Sequence, residues 1–258
     1  MMTEGTSLVK ARLRLLQMHY ESGVGHLGGN LSSLDAMFVV FRHWKRSEDA
    51  FILSKGHSAG ALYVALWAAG RLEESALKTF HADQTLLAGH PPLKGLDDVL
   101  FATGSLGHGL SLAAGTALGK KLKKLPHEVA CLTSDGEWQE GSTWEALIFA
   151  AHHKLDNLKI LVDMNGLQAF GRTQAVASMD DLGQRLSGFE VAVTEVNGHD
   201  ETEILAALKA QKSAPHVILM RTVKGHGVSF LEHRLASHYL PLTADQFQQA
   251  SAEISRLS

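Results

Sequence analysis

The chain has 258 residues, of which 45% are hydrophobic and 20% are charged, as is typical of soluble globular proteins. This length suits a single α/β domain over residues 1–258 with a substantial core. The net charge is −3 and no apolar run is long enough for a membrane span, so we expect no nucleic-acid or membrane partner. We find no signal peptide, which predicts a cytoplasmic protein, and the one cysteine, Cys131, cannot form an internal disulfide.

Helices dominate the prediction for the first half of the chain. An amphipathic helix is expected from Thr6 to Ser22, with Arg12 and Arg14 facing solvent. A glycine-rich loop over 25–30 follows, and Ser32 then matches the start of a second helix, with Asp35 as its capping-box partner. We expect a short strand at 50–53, followed by a helix that runs to 69 and a second helix at 73–80. An irregular segment at 85–98 and a helix of small residues at 111–120 follow.

Strands alternate with helices in the second half of the chain. The strands are predicted at 128–133, 158–164, 191–196 and 216–220, and the helices at 142–154, 179–186, 201–212 and from Thr243 onward. Ser142 and Thr243 each begin a capping-box pattern. This alternation predicts an α/β fold with a doubly wound, mostly parallel sheet and helices on both faces.

Polar loops follow two of the predicted strands. Asp135 and Gly136 come after the strand at 128–133, and Asn165 comes after the strand at 158–164. Because parallel strands end at one edge of a sheet, where ligands of open α/β sheets bind, these residues are expected to lie together. A carboxylate, an amide oxygen and a nearby main-chain carbonyl suit Mg²⁺, and a glycine lets the backbone approach a phosphate. Either dipeptide alone is typical of a turn, but the spacing favours a metal site.

Histidine is unusually frequent, with 15 residues. Several of them lie beside glycine, which indicates loops rather than a packed core, and five of these are His26, His57, His90, His108 and His226. One such residue predicts a turn, whereas five suggest a polar pocket assembled from several loops, where imidazole can donate, accept or carry protons near neutral pH.

Five segments, in order, resemble the transketolase family. The stretch from Ser134 to Asn165 resembles the thiamine diphosphate signature, with serine in place of its usual first glycine. The other four segments are 22–29, 51–57, 89–91 and 103–107. Order and spacing agree from about Leu8 to His238, nearly the whole chain. The resemblance implies the thiamine diphosphate-binding fold, and it covers only the amino-terminal, diphosphate-binding part of a full-length transketolase.

The resemblance also implies a role for each matching residue. Mg²⁺, or Ca²⁺ or Mn²⁺ in its place, would be bound by Asp135, Asn165 and the main-chain oxygen of Leu167. Thiamine diphosphate would be contacted by His57, Gly104, Leu106, Asp135, Gly136, Asn165 and His238. The sugar would be faced by His26, His90 and His238. Glu140 would lie near the subunit contact, in a proton network that links active sites.

By the same resemblance, the chain is the first subunit of a split, two-chain transketolase. It would transfer a two-carbon ketol unit from a ketose or ketose phosphate to an aldose, and only with a partner chain that carries the pyrimidine-binding and carboxyl-terminal domains. Two copies of each chain would form a heterotetramer. Ser237, His238 and Tyr239 replace the usual Trp-His-Gly, and 43–49 lacks a proline-rich insert, so we expect substrates that differ from the common pentose and hexose phosphates.

Three alternatives stay open on the sequence. The α-type subunit of a 2-oxoacid dehydrogenase would share Asp135, Gly136 and Asn165 but would not need the histidine-rich loops. A non-catalytic scaffold subunit of the same fold would have no reason to keep the two metal ligands together. A dinucleotide-binding protein would need a G-x-G-x-x-G motif after an early strand, and the chain has none.

Overall fold

A five-stranded parallel sheet crosses the protein, whose computed structural model describes residues 6–257. In chain order the strands are β1 (Ala50–Leu53), β2 (Val129–Ser134), β3 (Leu158–Met164), β4 (Leu167–Gln168), β5 (Gly171–Arg172), β6 (Ala192–Asn197) and β7 (His216–Arg221). The sheet has the order β1-β2-β3-β7-β6, and β4 and β5 form a separate antiparallel hairpin. All five predicted strands are confirmed, whereas the hairpin was missed because two-residue strands leave no periodic pattern.

Helices cover both faces of this sheet. They are α1 (Leu8–Ser22), α2 (Leu27–Val39), α3 (Ala59–Ala68), α4 (Glu74–Leu77), α5 (Gly109–Leu122), α6 (Gly141–His152), α7 (Thr173–Ala177), α8 (Leu182–Leu186), α9 (Glu201–Lys209) and α10 (Ala244–Ile254). A π-helical turn, Val40–Trp44, extends α2. Among residues 6–257, no helix is long and apolar enough to cross a membrane.

The alternation of side chains along the strands divides the core into two layers. Phe51 and Leu53 of β1 pack in a cluster with α1, α2, α3, α9 and α10. Ala50 and Ile52 of the same strand pack on the opposite face, with α5, α6 and α8. Successive residues of a strand point to opposite faces of the sheet, so a parallel sheet between two helical layers needs apolar residues throughout. The predicted doubly wound fold is confirmed.

The predicted start of the second helix at Ser32 is wrong, and so is the loop assigned to 25–30. Helix α2 begins at Leu27, directly after His26 in the left-handed region with φ 64°. Gly28 lies inside this helix, at a point where a Cβ atom would overlap the side chain of Ser237. This glycine therefore serves close packing, and its presence was mistaken for the sign of a loop.

Other helix boundaries also differ from the prediction. The capping box at Ser142 is wrong: α6 begins at Gly141, and the Ser142 hydroxyl donates to the carbonyl of Gly107 (2.9 Å). The helices expected at 73–80 and 179–186 shrink to α4 and α8, of four and five residues. The capping box at Thr243 is confirmed, with both of its hydrogen bonds to Gln246 present.

The predicted solvent exposure of Arg12 and Arg14 is also wrong, since both are buried. Arg12 forms an ion pair with the fully buried Asp35 of α2. His199, before α9, donates from Nδ1 to the same carboxylate (2.6 Å) and accepts from the N–H of Val223 (2.9 Å). Helical periodicity marks the polar face of α1 correctly, but it cannot show that this face meets polar partners instead of water.

Replacing Asp35 with alanine is expected to lower the free energy of unfolding by about 3 kcal/mol or more, because Arg12 would remain buried without its partner. The matched control is Glu195→Ala, which breaks an ion pair with Arg221 whose two side chains are 53% and 50% exposed. That change is expected to cost less than about 1 kcal/mol. Urea denaturation measures both values, and equal losses would contradict the structural role of the buried pair.

Candidate active site

A cavity of about 360 Å³ lies where the loops after β2 and β3 meet. Asp135 follows β2 directly, and Asn165 follows β3 directly. The two strands are paired in parallel, with Ser134 opposite Asp163, so the next residues come together at the same edge. The cavity is lined by both side chains and by Leu167 of the β4–β5 hairpin. The candidate site therefore occupies the carboxyl edge of the sheet, as expected for an open α/β fold.

Asp135 is fixed between two turns. Its Oδ1 accepts from the N–H of Gly136 (2.7 Å) and its Oδ2 from the N–H of Gly166 (2.7 Å). Burial raises the pKa of Asp135 to about 6, and the nearby Asp163 carboxylate adds to the effect. A cation bound here would favour the ionised form of the carboxyl.

Asn165 and Leu167 add two neutral oxygens. The Asn165 Oδ1 accepts from the N–H of Leu167 (3.0 Å), while its Nδ2 donates to Asp163 (3.0 Å). The carbonyl oxygen of Leu167 accepts from the ammonium group of Lys224 (3.2 Å). Mg²⁺ and Ca²⁺ prefer oxygen ligands, and this cluster offers a carboxylate, an amide oxygen and a main-chain oxygen. The residues present therefore fit a hard dication, although no group of three or more His, Cys, Asp or Glu side chains suited to a metal occurs between residues 6 and 257.

Beneath this cluster lies a buried ion pair between Lys55 and Asp163, which the sequence analysis missed. The Asp163 carboxylate also accepts from Ser32 (2.7 Å), Ser33 (3.2 Å) and Thr222. Burial acts to raise the pKa of Asp163, but Lys55 and the hydroxyl donors outweigh it and hold the pKa at about 2. The signal was available, since an aspartate in a strand of mostly apolar residues needs a partner when it is buried.

Three of the predicted histidines converge on the cavity. The ring centroids of His26 and His238 are 4.8 Å apart, and that of His57 is 5.8 Å from each of them. Burial lowers the pKa of all three histidines, and a neighbouring group lowers each pKa further. This neighbour is Lys55 for His57, His90 for His26 and Lys224 for His238, whose pKa is about 4. A neutral imidazole can donate one hydrogen bond and accept another at pH 7.

The remaining predicted residues lie around the mouth of the site. Gly104, Leu106 and the exposed Glu140 line the same cavity. His90 lies outside it, on an adjoining cavity of about 580 Å³ that shares Gly104. A Cβ atom on Gly104 would come 3.0 Å from the His90 ring, and its φ of 154° also favours glycine. Gly136 lines the main cavity, where a Cβ atom would come 3.3 Å from the Gln168 amide.

Lys224 is a second residue that the sequence analysis missed. Its side chain is buried, and its ammonium lies 3.2 Å from Nδ1 of His238 as well as 3.2 Å from the Leu167 carbonyl. Burial lowers the pKa of Lys224 to about 8, and the charge of Lys55 contributes. Lys224 lies between the strand predicted at 216–220 and the helix predicted from Thr243 onward, where one lysine among several charged residues carried no signal of its own. The charge of Lys55 is paired with Asp163, whereas Lys224 has no carboxylate partner among residues 6–257, so Lys224 gives the cavity a positive wall suited to an anion.

Comparison with known proteins identifies relatives of about the same length. Residues 9–255 match the family described as "Transketolase, thiamine diphosphate binding domain". The chain is 35% identical to one subunit of the apulose-4-phosphate transketolase of Phocaeicola vulgatus over 258 residues, which cover 95% of this chain and 92% of that protein. It is also 35% identical to a 6-deoxy-6-sulfo-D-fructose transketolase subunit of Clostridium sp. strain MSTE9, over 91% of this chain and 90% of that protein.

Other relatives are more than twice as long as this chain. Human transketolase is 37% identical over 95% of this chain, but only 41% of the human protein is covered. The crystal structure of transketolase from Campylobacter jejuni superposes with a TM-score of 0.88 at 28% identity, over 97% of this chain and 42% of that one. These matches, over nearly the whole chain, confirm the predicted family and a transketolase-type transferase. The chain belongs to the transketolase family, and it corresponds to the thiamine diphosphate-binding domain that other members carry in their amino-terminal part or as a separate subunit.

Proposed function

We propose that this chain is the amino-terminal, single-domain subunit of a cytoplasmic two-chain transketolase that depends on thiamine diphosphate and Mg²⁺. The enzyme moves a two-carbon ketol unit from a ketose or ketose phosphate to an aldose acceptor. The observation that carries the proposal is that a cluster of possible metal ligands and a cluster of histidines line the same cavity. The oxygens of Asp135, Asn165 and Leu167 lie together on one side, and the rings of His26, His57 and His238 lie on another.

In this proposal the oxygen cluster holds the metal and the positive wall holds the diphosphate. Asp135, Asn165 and the carbonyl of Leu167 bind Mg²⁺, which neutralises part of the diphosphate charge. His57 and Lys224 face the phosphate oxygens, and Gly136 keeps the backbone close to them. Gly104 and Leu106 lie against the aromatic rings of the cofactor.

The histidines of the site serve the sugar. Bound thiamine diphosphate supplies the carbon nucleophile and the electron sink for breaking the bond beside a ketose carbonyl. His26 and His238 take a proton from the donor hydroxyl and return one to the acceptor oxygen, a role that neutral imidazoles can fill near pH 7. His90 contacts the sugar from the adjoining cavity, and Glu140 extends the proton network to the subunit contact.

A partner chain completes the active site. Phe170 and Val176 line the cavity although they are 84% and 44% exposed, so apolar surface beside the cofactor site is left for another chain to cover. The relatives that are separate subunits are about as long as this chain, whereas one-chain transketolases are more than twice as long. We propose that the partner carries the pyrimidine-binding and carboxyl-terminal domains, that two copies of each chain form a heterotetramer, and that this chain alone is inactive.

Calorimetric titration of thiamine diphosphate with Mg²⁺ tests the proposal. We expect tight binding when this chain is mixed with its partner, and weak or no binding by either chain alone. Asp135→Ala in the mixture is expected to abolish the signal, while Asp156→Ala, which changes an exposed surface carboxylate, leaves it intact. Tight binding by the isolated chain would contradict the split site, and no binding by the mixture would contradict the cofactor.

Metal affinity is expected to depend on pH through Asp135, whose pKa is about 6 without metal. Mg²⁺ binds the ionised carboxylate and competes with the proton, so acidification weakens binding. The apparent affinity of the two-chain enzyme should be nearly constant above pH 7 and fall by about tenfold per pH unit below 6. Calorimetry from pH 5 to 8 measures this profile, and Asp135→Asn should bind weakly without that slope. A flat wild-type profile would exclude Asp135 as a ligand.

Substrate preference is expected to differ from that of common transketolases. Tyr239 replaces the usual glycine after His238, and its hydroxyl donates to the carbonyl of Ala169 in the cavity wall (2.9 Å). The side chain of Tyr239 therefore connects the segment that carries His238 to the β4–β5 hairpin. The two relatives that are separate subunits are named for apulose 4-phosphate and 6-deoxy-6-sulfo-D-fructose.

We expect kcat/KM on a panel of ketoses, with the partner present, to be highest for a donor or acceptor other than xylulose 5-phosphate and ribose 5-phosphate. Tyr239→Gly should shift the preference towards that pair, and Tyr239→Phe, which removes only the hydrogen bond, should shift it less. If the common pair is already the best for the wild type, the altered entrance does not set specificity.

A further inference from the structure

Glu137 is a fully buried carboxylate just behind the cofactor cavity. It follows Asp135 and Gly136, but it does not line the cavity. Its Oε1 accepts from the hydroxyl of Ser54 and from the N–H of Gly107 (2.9 Å), and its Oε2 accepts from the N–H of Ser134 (2.9 Å). One side chain thus joins three segments that are far apart in the sequence.

Each of these three segments carries proposed cofactor contacts. Ser54 directly follows β1 and leads to His57. Gly107 closes the loop that begins at Gly104 and includes Leu106. Ser134 is the last residue of β2, directly before Asp135. The carboxylate therefore lies at the point where the loops for the diphosphate, the metal and the aromatic rings of the cofactor meet.

The burial of this charge is not explained by an ion pair. Among residues 6–257, no Lys, Arg or His lies within ion-pair distance of Glu137, so its charge is stabilised mainly by these three hydrogen bonds and by a longer one from the Ser134 hydroxyl (3.5 Å). Burying a carboxylate is unfavourable unless its oxygens are well satisfied. An apolar side chain of similar size would pack there without that cost, but it could not hold the three donors.

The loop that Glu137 holds is also anchored at its start, where the Thr103 hydroxyl donates to the carbonyl of Leu53 (2.7 Å). Gly107 adopts a left-handed conformation with φ 81°, and its N–H is held by Glu137 while its carbonyl is held by Ser142 (2.9 Å). A Cβ atom on Gly109 would overlap Ser54, so this segment lies directly against the end of β1. A small shift of the 104–107 loop would therefore displace Leu106 and Gly104 together.

We propose that Glu137 is a positioning residue that locks the three cofactor-binding loops into one arrangement, so that metal, diphosphate and aromatic rings are bound as a unit. The inference rests on the proposed function and names a residue outside the set that would contact the cofactor. It predicts that Glu137 contributes to cofactor affinity without touching the cofactor.

The test variant is Glu137→Gln, which keeps the shape of the side chain. Whichever way its amide is turned, its NH₂ group faces the N–H of Gly107 or of Ser134, so one of these donors loses its acceptor. The dissociation constant for thiamine diphosphate with Mg²⁺, measured calorimetrically in the two-chain complex, is expected to rise by about tenfold or more. Hydrogen exchange in the chain without cofactor should become faster in peptides covering 104–107 and 132–136.

Asp49→Asn is the matched control. Asp49 is a buried carboxylate that accepts from the N–H groups of Arg46 (3.0 Å) and Glu128 (2.9 Å), but it lies at the amino end of β1, away from the site. The Asp49→Asn variant should lose thermal stability while its cofactor affinity stays within about twofold of wild type, because the partners of Asp49 do not line the cofactor cavity.

The two measurements separate the inference from the proposed function. If the wild-type complex does not bind the cofactor, the proposed function fails, and the exchange measurement still decides whether Glu137 holds the loops. Unchanged exchange at 104–107 and 132–136 in Glu137→Gln overturns the positioning role. So does an unchanged cofactor affinity, or an equal loss of affinity in Asp49→Asn.

Discussion

The ion pair between Lys55 and Asp163 is the constraint on which the site depends. Lys55 lies in the loop after β1 and Asp163 lies in β3, so the pair connects two strands that are separated by β2. The same carboxylate holds α2 through Ser32 and the end of β7 through Thr222. Removing either charge would leave the other buried and unpaired, which is among the costliest changes in a protein interior. The geometry at the edge of the sheet is thus built on one electrostatic contact.

The environment gives two neighbouring carboxyls opposite properties. Asp163, paired with Lys55, has a pKa of about 2 and remains a permanent anion. Asp135, held by two backbone N–H groups but without an ion pair in the described chain, has its pKa raised to about 6. The first carboxylate has a structural role, and the second is the one that we propose as a metal ligand. Ligand chemistry is therefore assigned by what surrounds each group.

Much of the fold could be predicted because β1, β2, β3 and β7 are buried and read as apolar runs, and the more exposed edge strand β6 was found as well. Asp135 and Asn165 could be paired because parallel strands end at one edge. The errors at Ser32 and Ser142 have one cause: serine hydroxyls that resemble helix caps are bound to Asp163 and to a loop carbonyl. Lys224 and Glu137 could not be found, since their roles depend on contacts between segments distant in sequence.

The ammonium group of Lys224 donates to the carbonyl oxygen of Leu167, the same atom that we propose as a metal ligand. An ammonium and a dication cannot both lie close to one oxygen, because their charges repel. If Mg²⁺ binds as we propose, loading the site would be an exchange of cations, in which the lysine leaves the carbonyl as the metal arrives. The incoming diphosphate would offer the displaced ammonium a new anionic partner. Metal and cofactor would then strengthen each other's binding, and by thermodynamic linkage each would raise the other's affinity by the same factor.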